Sequence, residues 1–300
     1  MQSQISRNTC NVPPISRRLI MTIENNAVSR SPVYGVDRVT IWLDRPASEA
    51  EFEALCEHCT CLTVTNDQPK FQANRKCKLD LFQPTRKCLR MAKEILRAET
   101  NADLTYVELA RDVTLPNKAR MALLIAFLGS VKVRGQRSLF VQCKGTFYCG
   151  KRAESGGRDG SVLAVYADKA SKINNARPDA DAMECFHVEL RLSGKDALNK
   201  HGIRTLQDLI VFNHKQFWKK SLKFYALPRS KTKLGRLLAA CSGGRADASD
   251  TAYLKRANRW LAKHSLDGPL VLHNALKATP ELEHYLAPTD WNDLMKSIKK

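Results

Sequence analysis

Apolar residues follow two periodicities along this chain, and each predicts a different kind of element. Runs in which every second residue is apolar are typical of strands with one buried face, and runs with apolar residues every three or four positions are typical of amphipathic helices. Strands are predicted at residues 37–43, 61–65, 78–83, 103–113, 161–168 and 184–192, with shorter ones between 131 and 151. Helices are predicted after the capping box Ser48 to Glu51, over 85–98 and from Pro116 to Gly129.

This order of elements predicts an α+β fold with a central, mostly antiparallel sheet, helices on one of its faces and a helical C-terminal region. The first residues have little periodicity and are rich in Ser, Asn, Pro and Arg, whereas a Pro-, Ser- and Lys-rich stretch interrupts the pattern near residue 230. We therefore expect a flexible leader at 1–32, the main domain at 33–227, a linker or loop region at 228–250 and the helical region at 251–300.

The periodicity also predicts which side of each helix faces the core. In the helix that begins at Pro116, we expect Met121, Leu124, Ile125 and Leu128 to point inward. The helix at 85–98 is basic on its polar side, which either contacts phosphates or is simply solvated.

The charge of the chain points to a polyanionic partner. Lys and Arg outnumber Asp and Glu by 49 to 30, a formal net charge of +19, and nucleic acid is the first choice for such a partner. No run approaches the roughly 18 apolar residues of a membrane span. We expect a soluble, intracellular protein whose ten cysteines are reduced.

Chemistry-bearing residues are concentrated on the two strands at 161–168 and 184–192. The second strand places His187, Glu189 and Arg191 on one face, which is rarely made for packing, and four apolar residues on the other. On the first strand Tyr166 shares a face with its alternate neighbours, and Lys169 follows where the chain leaves the strand. A phenol with a pKa near ~10 needs a nearby cation or metal ion to act as a nucleophile.

Two further sets of residues invite a metal. Glu108 lies in the middle of the strand at 103–113 between apolar neighbours, where a carboxylate needs a partner, and Asp112 is a second candidate there. The short cluster from Cys56 to Cys61, which includes His58, has ligand types suited to zinc. Its cysteines also occupy apolar helical positions, and buried free cysteine is the more common outcome.

The segment Tyr166-Ala-Asp-Lys169, followed by a polar connector and by His187-Val-Glu189-Leu-Arg191, resembles the catalytic region of rolling-circle replication initiators of the filamentous-phage type. These are similar in turn to the rolling-circle initiators of plasmids, and the likeness extends over about residues 103–218. The His-hydrophobic-His motif of the wider superfamily does not occur in this sequence, which leaves the role of His187 open.

The resemblance implies a metal-dependent DNA endonuclease and strand transferase that initiates replication of a phage or plasmid. Tyr166 would attack a phosphodiester, retain the 5′-phosphate as a covalent ester and free a 3′-hydroxyl for priming. Lys169 or Arg191 would stabilise the developing charge. Glu189 would be a ligand of Mg²⁺ or Mn²⁺, with Glu108 and His187 as further ligands. The expected compartment is the cytoplasm of a bacterial host.

A basic aromatic stretch at 215–225 suits single-stranded DNA, because bases can stack on rings while phosphates pair with cations. An equally good interpretation is a helix with its aromatics in the core and its lysines in water. The candidate DNA-binding residues are Lys215, Trp218, Lys219, Lys220 and Lys223.

Expected partners are origin duplex and single-stranded DNA, with a host helicase or polymerase and a second copy of the chain as further candidates. The alternative function is a non-catalytic, basic DNA-binding or replication-accessory protein, in which Tyr166 and Glu189 are structural.

Overall fold

The computed structural model describes residues 32–66, 75–97, 103–150, 160–170, 184–243 and 248–298. The predicted leader at 1–32 therefore lies almost wholly outside the described residues. The polar connector between the two chemistry-bearing strands also lies outside them, apart from its first two residues, 169 and 170.

An eight-stranded antiparallel sheet forms the centre of the molecule, which confirms the predicted fold class. The order of its strands is β2-β3-β1-β4-β9-β8-β7-β6, and every neighbouring pair is antiparallel. The strands are β1 Val33–Leu43, β2 Cys61–Asn66, β3 Cys77–Phe82, β4 Asp103–Thr114, β6 Phe140–Cys143, β7 Thr146–Cys149, β8 Gly160–Ala170 and β9 Glu184–Ser193. The chemistry-bearing strands β8 and β9 are direct neighbours, and β4 flanks β9.

A second, three-stranded sheet has the order β11-β10-β5 and joins distant parts of the chain. Its strands are β5 Val131–Val133, β10 Leu222–Ala226 and β11 Ala287–Thr289. The described helices are α1 Glu49–Cys56, α2 Arg86–Arg97, α3 Asn117–Leu128, α4 Lys195–Lys200, α5 Leu206–Ile210, α6 His214–Ser221, α7 Lys231–Cys241, α8 Asp250–Lys263, α9 Leu272–Ala278 and α10 Trp291–Ser297, with a 3-10 helix at Pro280–Tyr285. No described helix is long and apolar enough to cross a membrane.

One face of the large sheet packs on helices and the other carries polar side chains. The predicted apolar residues of β9 are Phe186, Val188, Leu190 and Leu192. They lie in the main core together with the buried residues of α2, α3 and α6. Because side chains alternate along a strand, His187, Glu189 and Arg191 lie on the opposite face. The polar face therefore holds the candidate chemistry.

Two register shifts alter the alternation next to these residues. In β1 the register with β4 shifts between Val36 and Arg38, which leaves Asp37 as an extra residue. In β8 the register with β9 shifts between Tyr166 and Lys169, so that three steps on β8 match two on β9. Asp168 in this bulge is exposed.

The inward face of helix α3 is offset by about one residue from the predicted face. Met121 and Ile125 were expected inward but are 43% and 51% exposed, whereas Leu124 and Leu128 are buried as expected. The reason is Phe127, whose ring packs against Phe186, Phe224 and Trp291 at centroid distances of 5.3, 5.7 and 6.4 Å. Burial of this large ring decides the orientation of the helix.

The stretch predicted as a linker contains helix α7, which packs against α8. Ser230 caps α7 by accepting a hydrogen bond from the backbone of Lys233, so the polar residues there begin a helix. At Gly235 the two helices meet so closely that a Cβ would lie 2.0 Å from the carbonyl oxygen of Tyr253. Glycine is required at this contact because the backbones touch.

The C-terminal region contributes to two separate clusters of buried side chains. Trp291 and Leu294 pack in the core beneath the large sheet, while Leu282 packs in a second cluster with residues of α7, α8, α9 and β10. Tyr285 at the end of the 3-10 helix is 49% exposed.

Candidate active site

The candidate site is built where three antiparallel strands of the polar face meet. The register pairs His187 of β9 with Asp112 of β4 on one side and with Tyr166 of β8 on the other. Side chains of directly paired residues point to the same side of a sheet, which brings these three groups together.

His187 is the centre of a hydrogen-bonded row of charged groups. Its Nδ1 contacts Asp112 Oδ1 and its Nε2 contacts Glu189 Oε2 at 3.0 Å. All three side chains are buried. Burial by itself would lower the pKa of His187, but the hydrogen bonds that its imidazolium donates to Asp112, Cys185 and Glu189 outweigh burial and raise this pKa well above its usual value. An imidazolium between two carboxylates follows.

Glu189 is ionised because cations surround it on two sides. Burial opposes its charge, yet the hydrogen bond from His187 and the charge of Arg191 lower its pKa to about 2. Arg191 Nε donates to Glu189 Oε1, and the side chain of Arg191 is 36% exposed. The row therefore runs from the buried His187 to a partly exposed guanidinium.

Tyr166 stacks directly on His187. Their ring centroids are 4.5 Å apart and the planes are inclined by 26°. Tyr166 is only 2% exposed, and burial together with the charges of Glu189 and Asp37 raises the pKa of its phenol. The phenol of Tyr166 is therefore protonated at neutral pH.

Asp37 enters the same cluster from the bulge in β1. Ligand atoms of Asp37, His187 and Glu189 all lie within 4.8 Å of one another, and so do those of Asp112, Cys185 and His187. Both groups are buried, and both share the imidazole. Among the described residues, these are the sets of His, Cys, Asp and Glu that could hold a metal ion.

Glu108, a predicted metal ligand, lies beside this cluster rather than in it. It accepts a hydrogen bond from the hydroxyl of Tyr106, and Arg191 Nε lies 3.8 Å from its Oε1. Burial and the nearby negative charge of Glu189 raise the pKa of Glu108 to about 7. Glu108 thus belongs to the periphery of the site, on the far side of Arg191.

The register pairs Lys169 with Cys185, two residues before His187 on β9. The bulge between Tyr166 and Lys169 makes this pairing possible, since a regular strand would pair Lys169 with the position before it. The side chain of Lys169 lies outside the described residues.

The predicted DNA-binding residues separate into two classes. Trp218 is 2% exposed and packs in the main core, so its ring is not available to a base. The aromatic residues of this stretch are buried, as the second interpretation expects, but Leu222–Ala226 form strand β10 and not a helix. Lys215, Lys219 and Lys220 are exposed on α6, whereas Lys223 on β10 lies 3.7 Å from a carboxylate oxygen of Glu283. The lysines of α6 lie on the helix-covered side of the sheet, away from His187.

The predicted zinc cluster does not converge on an ion site among the described residues. The thiol of Cys59 donates a hydrogen bond to the carbonyl of Leu55, and a hydrogen bond with Cys88 together with burial raises the pKa of Cys59. It behaves as a core cysteine.

Sequence reasoning missed Asp37 and Cys185. Asp37 was treated as the first residue of its strand, and only the bulge in β1 directs it toward His187. Cys185 has the same parity as His187 on β9, a signal that was available because strand side chains alternate.

No family model matches the chain, and no curated protein matches it. Among solved structures, a rolling circle replication initiator protein from Geobacillus stearothermophilus aligns with a TM-score of 0.40 and 12% sequence identity. The alignment covers 67% of this chain and 89% of that one. A TM-score of 0.40 is too low to establish a common fold, so the function has to follow from the residues of this chain.

Proposed function

We propose that this protein is a metal-dependent DNA nicking and joining enzyme that initiates rolling-circle replication, with Tyr166 as its nucleophile. The observation that carries the proposal is the convergence of Tyr166, His187 and Glu189 with Asp37 and Asp112 on one sheet face. The sequence pattern around Tyr166 and Glu189 and the net charge of +19 support the same conclusion.

The cluster fits a divalent cation. Its donors are carboxylates and one imidazole, a set that suits Mn²⁺ well and Mg²⁺ through the carboxylates alone. His187 Nε2 and Glu189 Oε2 are 3.0 Å apart. Adjacent ligand atoms on an octahedral ion with bonds of about 2.1 Å are separated by about the same distance. Asp37, His187 and Glu189 would hold the ion, which when bound polarises a phosphate and favours an ionised phenol nearby.

Each residue of the site has a separate role that its position supports. Stacking on His187 fixes the ring of Tyr166, and Asp112 in turn orients His187. Attack by the Tyr166 oxygen forms a phosphotyrosine bond and breaks the bond to the 3′ oxygen, which leaves as a 3′-hydroxyl. Arg191, partly exposed beside Glu189, is placed to stabilise charge on the phosphate oxygens, and Lys169 is proposed to assist.

The test is incubation of the protein with supercoiled circular DNA that carries its origin, in Mn²⁺ or Mg²⁺. The native chain should nick one strand and remain attached through a 5′-phosphotyrosine, while Tyr166→Phe binds DNA without cutting it. Tyr148→Phe is the matched control, because Tyr148 on β7 pairs with Ala164 on the same face of the sheet. Equal cutting by the Tyr166→Phe variant would refute the proposal.

A second candidate is a non-catalytic DNA-binding or replication-accessory protein. The 2% exposure of Tyr166 favours it, as does the occupation of both His187 nitrogens by carboxylates. In that case the row of charges is a buried structural network. This second function predicts that the protein binds the origin without cutting it and that added metal ions do not lead to cutting of the DNA.

A further inference from the structure

We propose that duplex DNA binds on a basic helical surface formed by Arg86, Lys87 and Arg90 of α2 together with Lys215, Lys219 and Lys220 of α6, on the side of the sheet opposite the candidate active site. This inference requires DNA binding but not the chemistry of Tyr166. A failure of nicking and a failure of duplex binding can therefore be observed separately.

Positive charges follow one side of helix α2. Cations recur at Arg86, Arg90, Lys93 and Arg97, a spacing of four, three and four residues that aligns them along one side of the helix. With a rise of 1.5 Å per residue, this stripe is about 16 Å long. Like charges at this spacing destabilise a helix, and Glu94 is the one acid within it. A polyanion would relieve the repulsion.

Three cations of α2 lack a counter-charge among the described residues, whereas Arg97 at the end of the helix lies 3.8 Å from Glu94. Arg86, Lys87 and Arg90 are exposed and form no ion pair with any residue that the structure describes. Arginines on the polar face differ, since Arg38 is paired with Asp80 at 3.0 Å and Arg75 with Asp103 at 2.9 Å. The helical surface therefore presents uncompensated positive charge to an external partner.

The beginning of α6 lies near the beginning of α2. Burial and the charge of Arg86 lower the pKa of His214, the first residue of α6, to about 4, which reflects their proximity. Lys93 donates to Gln207 Oε1 of α5 at 3.0 Å, which ties α2 to the helix that precedes α6. The exposed lysines of α6 extend the positive field beyond α2.

The chemistry of the surface favours a duplex over a single strand. Binding of unpaired bases uses exposed aromatic rings, but Phe217 and Trp218 of α6 are buried in the core. A duplex presents about one phosphate charge per 1.7 Å of its axis, which suits a flat array of cations.

The sheet separates this surface from the candidate active site. Helix α2 buries Cys88, Leu89 and Ala92 against the apolar side of the sheet, whereas His187 and Glu189 lie on the polar side. One phosphate cannot contact both. The protein would hold a duplex segment on the helices while another segment lies at the polar face.

The test compares two triple variants of the full chain. The α2 variant carries Arg86→Gln, Lys87→Gln and Arg90→Gln, and the control carries Lys255→Gln, Arg259→Gln and Lys263→Gln on α8, where all three are also exposed. Both lose the same charge. Fluorescence anisotropy measures the affinity for a short labelled duplex and for the corresponding single strand. Each affinity is measured at salt concentrations from about 50 to about 200 mM. Circular dichroism verifies that both variants are folded.

The α2 variant should bind the duplex at least about tenfold more weakly than the native chain, with a log–log salt slope shallower by about 2 to 3. The α8 variant should stay within about threefold of the native chain. The proposal is overturned if the α2 variant binds like the native chain, if both variants weaken equally, or if single-strand binding falls as much as duplex binding.

Discussion

Replacement of Glu108 by Gln should make the protein more stable at alkaline pH. The carboxyl of Glu108 is buried near the negative charge of Glu189, and its pKa is raised from 4.5 to about 7. An acid with a raised pKa keeps its proton in the folded state after the unfolded chain has lost it. The folded state is therefore penalised increasingly as the pH rises from 4.5 to about 7, and the full penalty remains above that.

The magnitude follows from the difference between the two pKa values. Each pKa unit corresponds to about 1.4 kcal/mol, so the penalty on folding is about 3 kcal/mol at pH 8.5 and about 1 kcal/mol at pH 5. Gln has nearly the same shape and can still accept the hydrogen bond from Tyr106. Relative to the native chain, Glu108→Gln should thus gain about 2 kcal/mol between pH 5 and pH 8.5.

The assay is urea unfolding at both pH values, followed by tryptophan fluorescence in the presence of EDTA. The quantity of interest is the difference in unfolding free energy between variant and native chain, because contributions of His187 and Glu189 present in both proteins largely cancel in it. Glu53→Gln on the exposed side of α1 is the control and should show no such trend. A difference for Glu108→Gln that is equal at pH 5 and pH 8.5 would refute the reasoning.

Gly235→Ala should destabilise the protein by several kcal/mol, since the added Cβ would lie 2.0 Å from a backbone oxygen of Tyr253, and thermal unfolding measures this loss. Trp218→Ala should cost about 3 to 5 kcal/mol in the same measurement, because the ring is part of the core. The affinity for Mn²⁺, measured by calorimetry, should rise by up to about tenfold per pH unit between pH 6 and 8, because His187 has a raised pKa and must release its proton to bind the ion.

Each of these has a matched comparison. Ala240→Gly, on the exposed side of α7, should cost no more than about 1 kcal/mol, so an equal loss for both helix variants would argue against a close contact at Gly235. A Trp218→Ala variant of native stability would place the ring outside the core. An Mn²⁺ affinity that does not change with pH, or that is retained by His187→Phe, would exclude His187 as a ligand.

Much of the candidate site was predictable because side-chain direction in a strand is a local property. The alternation of β9 sufficed to separate His187, Glu189 and Arg191 from the apolar residues that pack beneath the sheet. The midstrand position of Glu108 likewise indicated a carboxylate that needs partners. Its partners, Tyr106 and Arg191, depend on the pairing of β4 with β9.

Helix orientation was less predictable, because several residues of a helix can serve as its inward face. In α3 two apolar faces are possible, and they are offset by about one residue. One includes Met121 and Ile125, and the other includes Phe127. In α6 the aromatic residues suited either a core or a stack of bases. The contacts of Phe127 with Phe186 and the place of Trp218 in the core decide both cases, and neither contact is visible in local sequence.

The sequence by itself determined the classes of element, the polar row on β9 and the excess of positive charge, since each depends on neighbours along the chain or on composition alone. Only the tertiary structure decided that Asp37 and Asp112 meet at His187, and that the cations of α2 and α6 lie on the other side of the sheet. The physical reason is that strand order, register shifts and helix packing join residues that are far apart in sequence. The strand pairings and helix contacts that form are those that bury apolar residues best over the whole molecule.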